Sequence, residues 1–187
     1  AALLAVVASL MLAIAKRWIQ ASWLKGLTFL AGMGYAIPGT VLALALLFAG
    51  TPWQLSPIIL LLWGYSDRFL AVSKGGLDAA LERINPSLDE AATGMGFNWL
   101  QVLKRVHLPL LRGPMTVGLL LVFVDTVKEL PLTFALRPFD FDTLSVRVYQ
   151  YAGDERLAEA LLPALMILIL GLVASMALVS SLDHSPK

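Results

Sequence analysis

Apolar residues along the chain gather into five runs that approach the length needed to cross about 30 Å of hydrocarbon. They cover about 1–15, 27–49, 57–72, 114–130 and 157–182. The first closes on Lys16 and Arg17, and the second is threaded with Gly32, Gly34, Pro38 and Gly39, with a break expected around Ile37-Pro38-Gly39. Near the end of the third stand Asp67 and Arg68, expected to pair with each other or to reach the cytoplasmic interface. Asp154, after Gly153, is the expected N-cap of the fifth. The pattern predicts an all-α membrane protein built as a five-helix transmembrane bundle, one domain over residues 1–187, with its termini on opposite sides.

Composition agrees. Hydrophobic residues make up 58% of the 187 and charged residues 14%, with mean hydropathy +0.78, whereas a soluble domain carries about a quarter charged residues. The bilayer is the first expected partner. A net charge of +1 gives no electrostatic case for nucleic acid. The absence of cysteine removes thiolate chemistry and disulfides, and His107 and His184 are too few and too far apart for a metal motif, so no metal site is assigned. The opening AALLAVVASLMLAIA reads as a helix entered partway, which predicts a piece of a longer polypeptide.

Lysine and arginine set the orientation. Lys16, Arg17 and Lys25 follow the first run, and Lys74, Arg83, Lys104, Arg105 and Arg112 fill segment 73–113, whereas 50–56 carries none. The first two loops therefore face the cytoplasm. Alternation then puts 131–156 outside, although Arg137, Arg147 and Arg156 stand there among Asp140, Asp142, Asp154 and Glu155.

Within the inner segment lies a polar island, DEAATGMGFNWLQVLKRVHLP, at 89–109. Asn85 as N-cap and Pro86 at the first helical position predict a short helix over Ser87 to Ala92 that stops at Gly94 and Gly96. A second helix is expected from Asn98, with Trp99, Leu103 and Val106 on one face, until Pro109 ends it.

The order Glu90, Ala91, Ala92, three residues, Gly96, nine residues, Val106, His107, Leu108, Pro109 resembles the signature of permease subunits of bacterial ABC importers: Glu-Ala-Ala, three residues, Gly, nine residues, Ile, any residue, Leu-Pro. Only Val106 departs from it. GYAIPGTVLALALL in the second run and FVDTVKELPLTFALRPFDFDTLSVRVYQYAGDERLAEALLPAL in the last third are similar to the ferric-iron branch of the family. The resemblance implies a type I importer permease of the bacterial inner membrane, multi-pass, with a cytoplasmic coupling helix. Asp89, Glu90, Ala91, Ala92, Gly96, Leu108 and Pro109 would form the loop that docks on a separate ATP-binding cassette subunit. It also implies a periplasmic or extracellular substrate-binding protein and a second permease half or copy, this chain being the C-terminal half or one five-helix core. Relatives that move thiamine or polyamines share the fold.

No catalytic set stands out. There is no GxxxxGK[ST] loop, Gly75-Gly76 reads as a plain turn signal, and Asp142 in FDFDTL reads as the N-cap of a helix TLSVRVYQYA. The chain itself is expected to bind no cofactor, ATP being used by the partner. In the fourth run Asp125, Lys128 and Glu129 fall at i, i+3, i+4, on one face, where charges are costly and should look inward. They are candidates for the translocation path, with the carboxylates as hard oxygen ligands for a cation, or for a Lys128 ion pair that holds helices together. An ion-coupled secondary transporter or channel would use the same charges without an ATPase.

Overall fold

A computed structural model describes residues 1–19 and 21–183, with side chains described through Ser181; His184 lies outside the described residues. The described secondary structure is helical: α1 (Ala2–Trp18), α2 (Ser22–Gly32), α3 (Gly39–Gly50), α4 (Pro57–Arg83), α5 (Ser87–Gly94), α6 (Trp99–Val102), α7 (Leu108–Lys128), α8 (Pro131–Leu136), α9 (Leu144–Gly153) and α10 (Leu157–Asp183). A π-helical segment, Leu103–His107, joins α6 to α7.

The centre is α4, which packs along α1 on one side and α7 on the other. Two apolar clusters fill the seams. Toward one end, Leu42, Leu46, Leu61, Phe69 and Val122 close on Leu132 and Leu136 of α8. Toward the other, where the polar island lies, Leu10, Ile14, Leu77, Leu81, Leu103 and Leu111 meet. Between the clusters the helices cross closely: Ser9 and Ser73 share a 2.7 Å hydrogen bond, and a Cβ at Gly118 would stand 3.2 Å from that of Ser73. Small residues at a crossing let backbones approach where lipid supplies no hydrophobic drive. On α10, packed along α7 and α9, Leu161, Leu162, Leu168 and Leu172 stay exposed, as a lipid-facing side requires.

Among the described residues two helices are both long and apolar enough to cross a membrane: 99–128, with mean hydropathy 1.6, and 157–181, with 2.6. The others fall short for visible reasons. α1 has 17 residues, the second run is split into α2 and α3 by a break at Pro38, and α4, though 27 residues long, carries Asp67, Arg68, Lys74, Asp78, Glu82 and Arg83.

Several boundary expectations need correction. Gly75 and Gly76 are not a turn: α4 runs through them, because Leu77 and Leu81 continue its buried stripe. Pro109 does not end a helix. It sits in the first turn of α7, and the π segment ahead of it carries the helix on, the amide of Leu108 reaching back to the carbonyl of Leu103; α7 therefore starts before residue 114. Asp154 closes α9 instead of opening α10, its amide bonded to the carbonyl of Gln150 at 2.9 Å, while the Arg156 carbonyl receives the amides of Glu159 and Ala160. Asp142 is not a cap either. Thr143 takes that place, accepting from the amide of Val146, because Asp142 is held by Arg137 and Arg147.

Candidate functional site

The polar island folds as a helix, a glycine turn and a second helix. Asn85 Oδ1 accepts from the Ser87 amide at 3.0 Å, so α5 opens at Ser87, and Asp89 and Glu90 occupy its first turn, where negative charge suits the helix dipole. At the other end Gly96 has φ +83°. Its amide bonds to the carbonyl of Thr93 at 2.9 Å, and that of Phe97 to Ala92 at 3.1 Å, the paired bonds of a Schellman ending. A Cβ there meets nothing within 4 Å, so backbone handedness and not crowding demands glycine. Asn98 then caps α6 reciprocally with Gln101, in bonds of 2.9 and 2.8 Å.

The two faces of α5 differ. Ala92 is buried and Asp89 turns inward, whereas Leu88, Ala91 and Met95, at i, i+3 and i+7, are exposed beside Glu90. The alanines thus lie on opposite sides: Ala92 lets the helix sit close to the bundle, and Ala91 leaves the outer face low.

What fixes the inner face is Arg17, from the end of α1. Its Nε donates to Asp89 Oδ2 at 2.7 Å, and Nη1 and Nη2 donate to the carbonyls of Leu81 and Ile84 at 2.8 to 3.0 Å, covering carbonyls at the C-terminus of α4. The other Asp89 oxygen lies 3.0 Å from His107 Nε2. His107 is fully buried, with Trp18 edge-on at 5.7 Å, and its Nδ1 has no hydrogen-bond partner among the described residues. One carboxylate therefore gathers α1, α4, α5 and the entrance to α7. Leu108 packs on the cluster around Leu77 and Leu111, while Pro109 is exposed beside it.

A second charged centre lies deeper. Glu129 ends α7 with extended backbone, which turns it off the helix face shared by Asp125 and Lys128. Its Oε2 stands 3.3 Å from Arg68 Nε on α4, and Oε1 accepts from the Leu132 amide at 3.2 Å. Arg68 Nη1 donates to the Ile37 carbonyl at 2.7 Å, in the break between α2 and α3, and the guanidinium lies over the Tyr35 ring. Gly39 makes room: a Cβ there would meet Glu129 Oε1 at 3.0 Å. Hydroxyls of Thr133 and Ser145 both donate to the Glu129 carbonyl at 3.0 Å, and Tyr65 shares a hydrogen bond with Thr133.

The expectation that Asp67 and Arg68 pair together or reach the interface is thus overturned, because Arg68 has a buried carboxylate across the helix seam. Lys128 pairs within its own helix, with Asp125 at 2.7 Å, and its side chain is 62% exposed, so it does not tie helices together. The loop residues Asp89, Glu90, Ala91, Ala92 and Gly96 come together in one helix and its closing turn, Asp89 and Ala92 toward the bundle and Glu90 and Ala91 outward; Asp125 and Lys128 stay paired, and Glu129 parts from them. Arg17 and Arg68 were missed as site residues, since a cation closing an apolar run carries a topology signal but no sign of its partner.

Comparison with known proteins places the chain in a family. A Haemophilus influenzae protein named Fe(3+)-transport system permease protein FbpB 2 is 28% identical over 152 residues, 79% of this chain and 29% of its own length. The ferric transport system permease protein FbpB of Actinobacillus pleuropneumoniae is 30% identical over 107 residues, 56% of this chain and 15% of its own. The chain thus spans less than a third of the length of these relatives. Residues 5–185 match the family described as binding-protein-dependent transport system inner membrane component, and the chain belongs to that family.

Proposed function

We propose that the chain is the transmembrane permease part of an ATP-driven importer of ferric iron, multi-pass in the bacterial inner membrane. The observation that carries this is α5: a helix held on its inner side through Asp89 and offering Leu88, Glu90, Ala91 and Met95 outward. Such a face suits a groove of an ATP-binding cassette subunit, which would bind and hydrolyse ATP. A substrate-binding protein would deliver the cargo from outside, and a second permease half would complete the path. The names of the two relatives support ferric iron as cargo. Asp125 and Glu129 offer the hard oxygen ligands that ferric iron prefers; in the conformation described Glu129 is held by Arg68.

The test is reconstitution of the full-length permease with its ATPase and binding protein in proteoliposomes. Uptake of ferric iron is expected to require ATP and to vanish in Gly96→Trp, with ATPase association lost and membrane insertion retained. Uptake driven by an ion gradient without the ATPase would instead identify a secondary transporter. ATP-driven uptake of thiamine or a polyamine in place of iron would overturn the cargo.

A further inference from the structure

The arginines of this chain divide by their company. Arg17, Arg68, Arg137, Arg147 and Arg156 pair with carboxylates, and Arg105 lies over the Phe97 ring. Arg83 and Arg112 have no such partner among the described residues, and both are exposed. They share one crevice of about 720 Å³, between the C-terminal end of α4, the first turns of α7 and the C-terminal end of α10 at Ser181.

The walls of that crevice are of two kinds. Ala80, Ile84, Leu110 and Pro114 give it an apolar side, and Leu110 is half-exposed at its edge; the arginines, with Thr116 and Ser181, give it a polar one. The Thr116 hydroxyl is committed to the Arg112 carbonyl at 2.8 Å, which leaves the guanidinium groups as the strong donors. Arg83 ends α4, and Arg112 stands in the first turns of α7, where a cation gains nothing from the helix dipole. The dipole at the end of α4 favours a cation at Arg83, but no carboxylate among the described residues neutralises either arginine. A planar guanidinium matches a phosphate through two parallel N–H donors, and basic crevices between helices at the cytoplasmic face suit anionic headgroups whose acyl chains follow the apolar wall.

We propose that this crevice is a binding site for an anionic membrane phospholipid, its phosphate held by Arg83 and Arg112 and its chains lying along Leu110 and Pro114. The site sits beside the base of the coupling segment, so an occupant would bridge α4, α7 and α10 just where α5 leaves the bundle. Only the cytoplasmic position of this end matters; the transported solute does not enter.

The experiment uses the full-length permease with its ATPase, exchanged into nanodiscs of phosphatidylcholine with or without phosphatidylglycerol, then extracted in mild detergent and analysed for retained lipid. Wild type is expected to retain phosphatidylglycerol. Arg83→Gln and Arg112→Gln should each reduce retention roughly five-fold, while Lys25→Gln, on α2, should not. Inorganic phosphate added during extraction should leave retention unchanged, and displacement by it would mean a free-anion site instead of a lipid site. Equal retention in the arginine variants would overturn the assignment. So would loss of ATPase from those variants with lipid retention intact, which would put both arginines in a protein interface.

Discussion

Asp89 accepts from Arg17 and lies against His107, and both side chains of the Arg17–Asp89 pair are largely withdrawn from water at 15% and 18% exposure. Charge-assisted bonds in such settings contribute roughly 1.5–3 kcal/mol each. Arg17→Met and Asp89→Asn should therefore each lower the thermal unfolding midpoint of the detergent-solubilised permease by a few degrees, and the double variant by little more than either alone. Additive losses in that double-mutant cycle would mean that the two residues act separately. Lysine at 17 should not substitute, because one ammonium cannot serve Asp89 and the carbonyls of Leu81 and Ile84 together. In the sequence, Glu90 through Gly96 was legible because turn and cap chemistry is local. Arg17 was not, since its partner lies 72 residues away and no local rule links them.

At the scale of elements, glycine means different things in different helices. Gly39 opens α3 against Glu129 and the Leu132 amide, so Gly39→Ala should force the broken second run away from α8 and destabilise by roughly 1–3 kcal/mol. Gly76, in mid-helix with nothing within 4 Å of a Cβ, should gain roughly 0.5–1 kcal/mol on Gly76→Ala. Thermal unfolding of the two variants side by side checks both signs; a stabilised Gly39→Ala would remove the close approach from the account of Glu129. The sequence gives both positions the same letter and could tell neither role, which is why Gly75-Gly76 looked like a turn. The break at Pro38 was legible from proline beside glycine. The continuation through Pro109 was not, because a wide π turn accommodates a residue that the ordinary helix rule treats as a stop.

For the molecule as a whole, apolar runs and the distribution of lysine and arginine predict the arrangement, with 73–113 expected inside and 131–156 outside. The chain has no cysteine, so single cysteines at Gly76 and Gly153 make a clean probe. An impermeant thiol reagent on intact cells, with the outer membrane made permeable, should label Gly153→Cys and spare Gly76→Cys; the opposite pattern would invert the orientation. A helix TLSVRVYQYA was expected within 131–156 and is α9; what the runs could not reveal is where that segment packs. Arg137, Asp142 and Arg147 join the end of α8 to α9 locally, whereas α8 lies on α3 and α9 on α10 through contacts between segments that no single stretch of sequence announces.

The close crossing at Ser9, Ser73 and Gly118 lies partway along three helices at once. Packing on either side of it is by larger apolar side chains, whereas at the crossing itself there is little side-chain bulk to give way. Three rods pressed together at one point have a fulcrum. Any tilt about it would carry the two ends of these helices in opposite directions, so a displacement at one end of the bundle would be reversed in sense at the other.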